Sequence, residues 1–212
     1  MGASQASQAG TGRPKSIWTP ANIVTCVRIV FIPVFMVFAD AAFQGEGFAG
    51  LSLFVTAIVS FVLYALLSAT DKLDGDLARK RGEVTDFGKF LDPIADKLLV
   101  FSALLIFLAH GQLGVWPVFI ILFREFLVSA LRMVASANGE VIAADMLGKA
   151  KTATTMVAIC GMQLALVLSV AGLAAGYLML IVSNVLMGLA VLLTVISGLQ
   201  YFWNARHVVF RV

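Results

Sequence analysis

Between two long apolar runs the chain reads Asp71-Lys72-Leu73-Asp74-Gly75-Asp76-Leu77-Ala78-Arg79, then eight residues, then Gly88, Asp92 and Asp96. Seven of the twelve acidic residues lie between Asp71 and Asp96, the five aspartates just named together with Glu83 and Asp86. Carboxylates crowded between membrane-spanning segments are costly to keep ionised. A concentrated positive charge stabilises them, and a divalent metal is the obvious source.

The 212 residues are 60% hydrophobic and only 13% charged, with a mean hydropathy of +0.97. Soluble domains sit near half apolar with about a quarter charged, so an integral membrane protein is the default class. At about twenty residues per span, six helices take roughly 120 to 140 residues. Short loops and one tail fit in the remainder, and a second soluble domain does not. Cys26 and Cys160 both lie inside apolar runs and read as small core residues rather than a disulfide.

Moving outward from the acidic stretch, the apolar runs are about Asn22–Ala39, Phe48–Thr70, Phe90–His110, Val115–Ala137, Ala150–Ala175 and Tyr177–Phe202. A polar connection, Asn138–Gly148, separates the fourth from the fifth. Residues 1–16 have no apolar period and read as a disordered tail, 17–204 as one membrane domain, and 205–212 as a basic tail. Ala39-Asp40-Ala41 resembles a signal-peptide cleavage site, but the preceding region is long and polar and Arg28 interrupts the apolar run. An uncut N-terminus without an Arg/Ser-rich leader favours a bacterial inner membrane.

Lysine and arginine set the orientation. Arg13 and Lys15 precede the first run, and Lys72, Arg79, Lys80, Arg81 and Lys89 lie between the second and third. Lys149 and Lys151 open the fifth, and Arg206 and Arg211 follow the sixth. The loops at about 40–47, 110–114 and 174–178 contain none. Both termini and the acidic stretch are therefore expected to be cytoplasmic. Arg28, Lys97, Arg124 and Arg132 fall inside predicted spans. Lys97 and Arg132 are near enough to helix ends to snorkel. Arg28 and Arg124 must face a protein interior or a polar cavity, which makes them functional candidates. The alternative for Arg124 and Arg132 is an internal ion pair with Glu125.

If the second helix continues through Ala78, then Asp71, Asp74, Gly75 and Ala78 fall within about a third of its circumference. If the third begins near Asp86, then Gly88, Asp92 and Asp96 line one of its faces, and Pro93 is tolerated in the first turns. Four carboxylates and three small residues then face each other. Oxygen donors at this density suit Mg²⁺ or Mn²⁺, and no Cys/His cluster supports zinc or iron. Small residues let a bulky ligand approach the backbone, and Arg79 offers a fork suited to phosphate oxygens. Together these describe a site that handles a pyrophosphate. A merely solvated loop would not need so many fixed positions.

The stretch resembles the signature of the CDP-alcohol phosphatidyltransferases, Asp-x2-Asp-Gly-x2-Ala-Arg-x8-Gly-x3-Asp-x3-Asp, matched without a gap at Asp71, Asp74, Gly75, Ala78, Arg79, Gly88, Asp92 and Asp96. Thr19–Thr25 with Arg28, Phe87–Lys97, Arg124-Glu125-Phe126 and Gly148–Thr152 are similar to the members that use glycerol 3-phosphate, over roughly residues 17–204. One departure is Lys72, where many members carry an aromatic residue.

The resemblance implies an all-α membrane fold of six transmembrane helices, a cytoplasm-facing polar cavity and usually a homodimer. It implies transfer of the phosphatidyl group of CDP-diacylglycerol to the 1-hydroxyl of sn-glycerol 3-phosphate, with CMP leaving. Asp71, Asp74, Asp92 and Asp96 would hold two divalent ions, with Asp96 as general base. Asp74, Gly75, Ala78, Arg79 and Gly88, with Thr70 as a weaker candidate, would seat the CDP group. The acceptor phosphate would meet Arg124 first, then Lys149 and Arg132, with Lys151 and Arg28 contributing. Inositol phosphate, serine or phosphatidylglycerol as acceptor, and a divalent-cation carrier, remain the competing readings. No nucleic-acid partner is expected.

Overall fold

The computed structural model describes residues 19–81, 85–137 and 146–209. The side chains of residues 71–81 and 207–209, and of Ala21, Asp86, Lys89, Asp92, Ala137 and Ala205, lie outside that description. So do the N-terminal tail, Glu83, the connection at 138–145 and Arg211. Six helices follow in order: α1 (Pro20–Gln44), α2 (Leu53–Arg81), α3 (Asp86–Ala109), α4 (Val115–Ala137), α5 (Met146–Val170) and α6 (Ala175–Val209). Among the described residues there is no strand.

The helix ends have local causes. Thr19 caps α1 by accepting a hydrogen bond from the Asn22 amide at 3.3 Å, and Pro20 occupies the first turn, where its missing N–H costs nothing. Gly45 ends α1 in the left-handed region, φ 84°, donating to the carbonyls of Ala41 and Ala42. The second apolar run was expected to be helical from about Phe48. The helix starts five residues later, because Ala49 (φ 52°) and Gly50 (φ 79°) turn the chain. The fifth run ends at Val170 rather than Ala175, because Gly172 (φ 74°) turns the chain into α6. Ala39, within the cleavage-like tripeptide, is buried inside α1. Both cysteines are free.

One core joins all six helices: Ile32 and Phe35 from α1, Tyr64 and Leu67 from α2, Leu99, Leu104 and Phe107 from α3, Val118 and Ile121 from α4, Ile159 and Met162 from α5, and Met187 from α6. The α5–α6 pair packs closely, since an added Cβ at Gly161 would lie 2.3 Å from Ser183 Oγ. Small residues at such a contact let helix backbones approach where lipid offers no hydrophobic drive. At the ends away from the acidic stretch, Asp40 pairs with His110 at 2.8 Å, and the His110 ring stacks on Phe43.

Four segments are long and apolar enough to cross a membrane: Asn22–Gln44, Leu53–Thr70, Met146–Val170 and Ala175–Asn204. They read as bilayer helices, with large apolar side chains such as Leu66, Val185 and Leu199 exposed on the outside. The other two helices carry charge inside their apolar stretch: Asp92, Asp96 and Lys97 on α3, and Arg124, Glu125 and Arg132 on α4. Both contribute to the site, together with the end of α2 and residues of α1 and α5.

Candidate active site

Helix α2 runs unbroken to Arg81, so its backbone carries Asp71, Asp74, Gly75 and Ala78 on one face of its last turns. The side chains at these positions, and those of Arg79 and Asp92, lie outside the described residues. Thr70, just before them, donates its hydroxyl to the Leu67 carbonyl at 2.9 Å. Helix α3 starts at Asp86, and α2 packs against it.

The start of α3 is clamped. Thr85 caps it, its Oγ1 accepting from the Gly88 amide at 3.0 Å and from Asn22 Nδ2 at 2.7 Å. Thr85 and Asn22 are both buried. An added Cβ at Gly88 would lie 2.5 Å from Asn22 Oδ1. The sequence suggested that a small residue here opens the backbone to a ligand, whereas the described neighbour is an amide from α1. Gly88→Ala is therefore expected to lower stability by about 1–3 kcal/mol through overpacking. Asn22→Ala in the same chain should recover part of that loss, as read by thermal unfolding in detergent. If the two losses simply add, this contact is not the reason for the glycine.

Helix α1 forms the next wall. Asn22, Thr25 and Arg28 recur every three residues and are all buried. Arg28, only 2% exposed, donates from Nη1 to Asp96 Oδ1 at 3.0 Å, while the Asp96 side chain is 41% exposed. The sequence grouped Arg28 with the acceptor-phosphate contacts. The structure sets it against the last aspartate of the motif, where its charge offsets part of the carboxylate cluster.

Lys97 follows Asp96 and points about 100° further round α3, where its Nζ meets Ser129 Oγ of α4. Ser129 Oγ donates to the Glu125 carbonyl at 2.8 Å. Glu125 Oε1 accepts from Lys151 Nζ of α5 and from Arg124 Nη1, the latter at 3.2 Å. Arg124 Nη2 reaches Ser197 Oγ of α6 at 3.2 Å. Glycines flank this guanidinium: an added Cβ would lie 3.3 Å from Nη2 at Gly148 and 3.1 Å from Cγ at Gly198. Arg124 Nε is buried without a hydrogen-bond partner among the described residues.

Of the predicted acceptor contacts, Arg124 and Lys151 are thus brought together. Arg132 lies elsewhere, donating to Tyr201 Oη at 3.2 Å with its guanidinium over the Tyr201 ring. Lys149 is exposed, about 200° round α5 from the buried Lys151. The Arg124–Glu125 pair weighed as an alternative exists, and it does not use up the arginine.

Asn22, Thr85, Ser129 and Ser197 take part in the arrangement without having been assigned roles in it, and Glu125 was weighed only as an ion-pair partner for an arginine. Thr85 had a legible signal, a threonine three residues before Gly88 at a helix start. Ser197, in the middle of an apolar run, had none. Among the described side chains, no group of three or more His, Cys, Asp or Glu residues gathers as a metal site. Three of the four motif aspartates fall outside that description.

Comparison with known proteins bears on this geometry. Residues 18–196 match the family model described as CDP-alcohol phosphatidyltransferase. The CDP-diacylglycerol–glycerol-3-phosphate 3-phosphatidyltransferase of Bacillus subtilis is 40% identical over 189 residues, covering 87% of this chain and 95% of the relative. A probable phosphatidylglycerophosphate synthase of Mycobacterium tuberculosis is 40% identical over 185 residues, covering 87% and 80%. A relative from Rickettsia bellii, named as the Bacillus protein is, is 36% identical over 185 residues, covering 85% and 92%. With the motif intact and the match running through all six helices, the chain belongs to the CDP-alcohol phosphatidyltransferase family.

Proposed function

We propose that this protein transfers the phosphatidyl group of CDP-diacylglycerol to sn-glycerol 3-phosphate and releases CMP, as its relatives' names state for them. The observation that carries the reading is the position of α3. Asp96 faces Arg28 on one side, and Lys97 leads to the buried Arg124–Glu125–Lys151 group on the other. In this reading a carboxylate face for the diphosphate lies beside a basic group for the phosphate monoester. In this reading all six helices span a bacterial inner membrane, the site faces the cytoplasm, and the protein works as a homodimer.

The donor set fits hard divalent ions: four aspartates on neighbouring helix faces, with no sulfur or imidazole in the motif. Asp71, Asp74, Asp92 and Asp96 would hold two ions, Mg²⁺ or Mn²⁺. The chemistry such ions supply when bound is neutralisation of the diphosphate and of the departing CMP. Gly75 and Ala78 leave room for the CDP group, which Asp74, Arg79 and Thr70 orient, while Gly88 admits the Asn22 amide that clamps the start of α3. Arg124 and Lys151 seat the acceptor phosphate, and Arg28 steadies Asp96. Asp96 accepts the proton of the acceptor 1-hydroxyl. The freed oxygen attacks the phosphorus that bears the diacylglycerol. The bond from that phosphorus to the bridging oxygen breaks, and CMP departs with the electron pair.

Purified protein in lipid nanodiscs, given CDP-diacylglycerol and each acceptor in turn, tests the reading. CMP release is expected with glycerol 3-phosphate and not with serine, inositol phosphate or phosphatidylglycerol. It should stop with EDTA and return with Mg²⁺ or Mn²⁺. Release with another acceptor instead would reassign the substrate. Metal flux into vesicles without CMP release would make the protein a carrier.

A further inference from the structure

We propose that Glu125 is a positioning residue that fixes Arg124 and Lys151 for the acceptor phosphate. This rests on the reading above that those two cations seat it. Neighbouring residues on a helix do not naturally face each other. Arg124 nevertheless reaches back to the carboxylate of the next residue, and its other terminal nitrogen is held by Ser197. Lys151 comes to the same Glu125 oxygen from α5. One carboxylate therefore aligns cations from two helices, while Ser129 ties its backbone carbonyl to Lys97 on α3. Glu125 is itself held by the elements it aligns.

The charges explain why this carboxylate serves a ligand as well as the fold. Among the described side chains, Lys97, Arg124 and Lys151 bring three positive charges to the group and Glu125 one negative charge. Among those side chains this leaves two cations in excess in a poorly hydrated interior, a balance that a bound anion would complete. A phosphate monoester brings close to two negative charges near neutral pH. Arg124 Nε, buried with no hydrogen-bond partner among the described residues, is a donor for such a ligand. Without Glu125, Arg124 and Lys151 would repel each other and lose their common reference point.

The experiment is steady-state kinetics with each substrate varied, alongside direct binding of glycerol 3-phosphate by calorimetry. Glu125→Gln keeps the shape and removes the charge. It is expected to raise KM and Kd for glycerol 3-phosphate by roughly ten-fold or more, as expected when one partner of a buried charge pair is lost. KM for CDP-diacylglycerol should stay within about three-fold, since that substrate is held elsewhere. Glu125→Asp, with its carboxylate intact, should fall between. Ser197→Ala removes the second anchor of Arg124 with little risk to folding and should move the same constant in the same direction. In an Arg124→Ala background, Glu125→Gln should add much less than it does alone.

The proposal is overturned if Glu125→Gln lowers stability or kcat while the acceptor constants stay put. It is likewise overturned if Glu125→Gln does not fold and Ser197→Ala leaves acceptor binding unchanged. If Arg124→Ala itself leaves acceptor affinity unchanged, the pocket assignment fails, and this inference with it. If Arg124→Ala weakens acceptor binding and Glu125→Gln does not, only the positioning role fails.

Discussion

Asp96→Asn is expected to reduce transfer by about a thousand-fold or more, in the upper range for loss of a general base, while the protein stays folded. The substitution is nearly isosteric. Its amide oxygen can still accept the 3.0 Å hydrogen bond that Arg28 now gives to Oδ1, so the buried guanidinium keeps that contact. What disappears is the negative charge and, with it, the capacity to take a proton. Release of labelled CMP measures the loss, and thermal unfolding in detergent checks the fold. Binding of the CDP-lipid should survive, because the groups assigned to the CDP moiety are on α2, and Asp71, Asp74 and Asp92 remain to hold the ions. Transfer above about a tenth of the parent rate would remove Asp96 from the role of base.

Arg124→Ala is the second large effect. Removing one member of a buried, hydrogen-bonded charge group costs about 2–5 kcal/mol. Here it leaves Glu125 with Lys151 alone and opens a gap beside Gly148 and Gly198. The expected result is a fall in kcat/KM for glycerol 3-phosphate of roughly a hundred-fold or more. The constants for CDP-diacylglycerol should be little changed. Arg124→Lys should recover only part, since an ammonium cannot reproduce the planar fork that reaches Glu125 and Ser197 together. An unchanged apparent affinity for glycerol 3-phosphate in Arg124→Ala would mean that the acceptor sits elsewhere.

The helices were legible in the sequence because apolar runs of bilayer length leave few other structures open. Their ends were less so. The breaks after Gln44 and Val170 depend on Gly45, Gly50 and Gly172 taking left-handed backbone, which hydropathy does not register. The extension of α2 through Ala78 and the start of α3 at Asp86 followed from the spacing of the motif, and both are seen. The spacing could not supply contacts between distant helices. Arg28 finds Asp96 across 68 residues, Asn22 finds Thr85 across 63, and Arg124 finds Ser197 across 73. A buried arginine in a span announces that a partner is needed and does not say which one. Arg28 was accordingly grouped with Arg124, although Arg28 meets Asp96 and Arg124 belongs to the group reached through Lys97, about 100° further round α3. Glu125 was read only as a possible partner for an arginine, because one carboxylate in an apolar run gives no sign that it serves two cations from two helices.

The central claim is that the aspartates at the end of α2 and the start of α3 hold two cations around the diphosphate. The most direct measurement is an anomalous difference map from crystals of the protein grown with Mn²⁺ and a CDP ligand. The account predicts two manganese peaks between these helices, each about 2.0–2.2 Å from oxygens of Asp71, Asp74, Asp92 or Asp96. Peaks located elsewhere, or aspartates turned away from one another with CDP bound at another place, would contradict it.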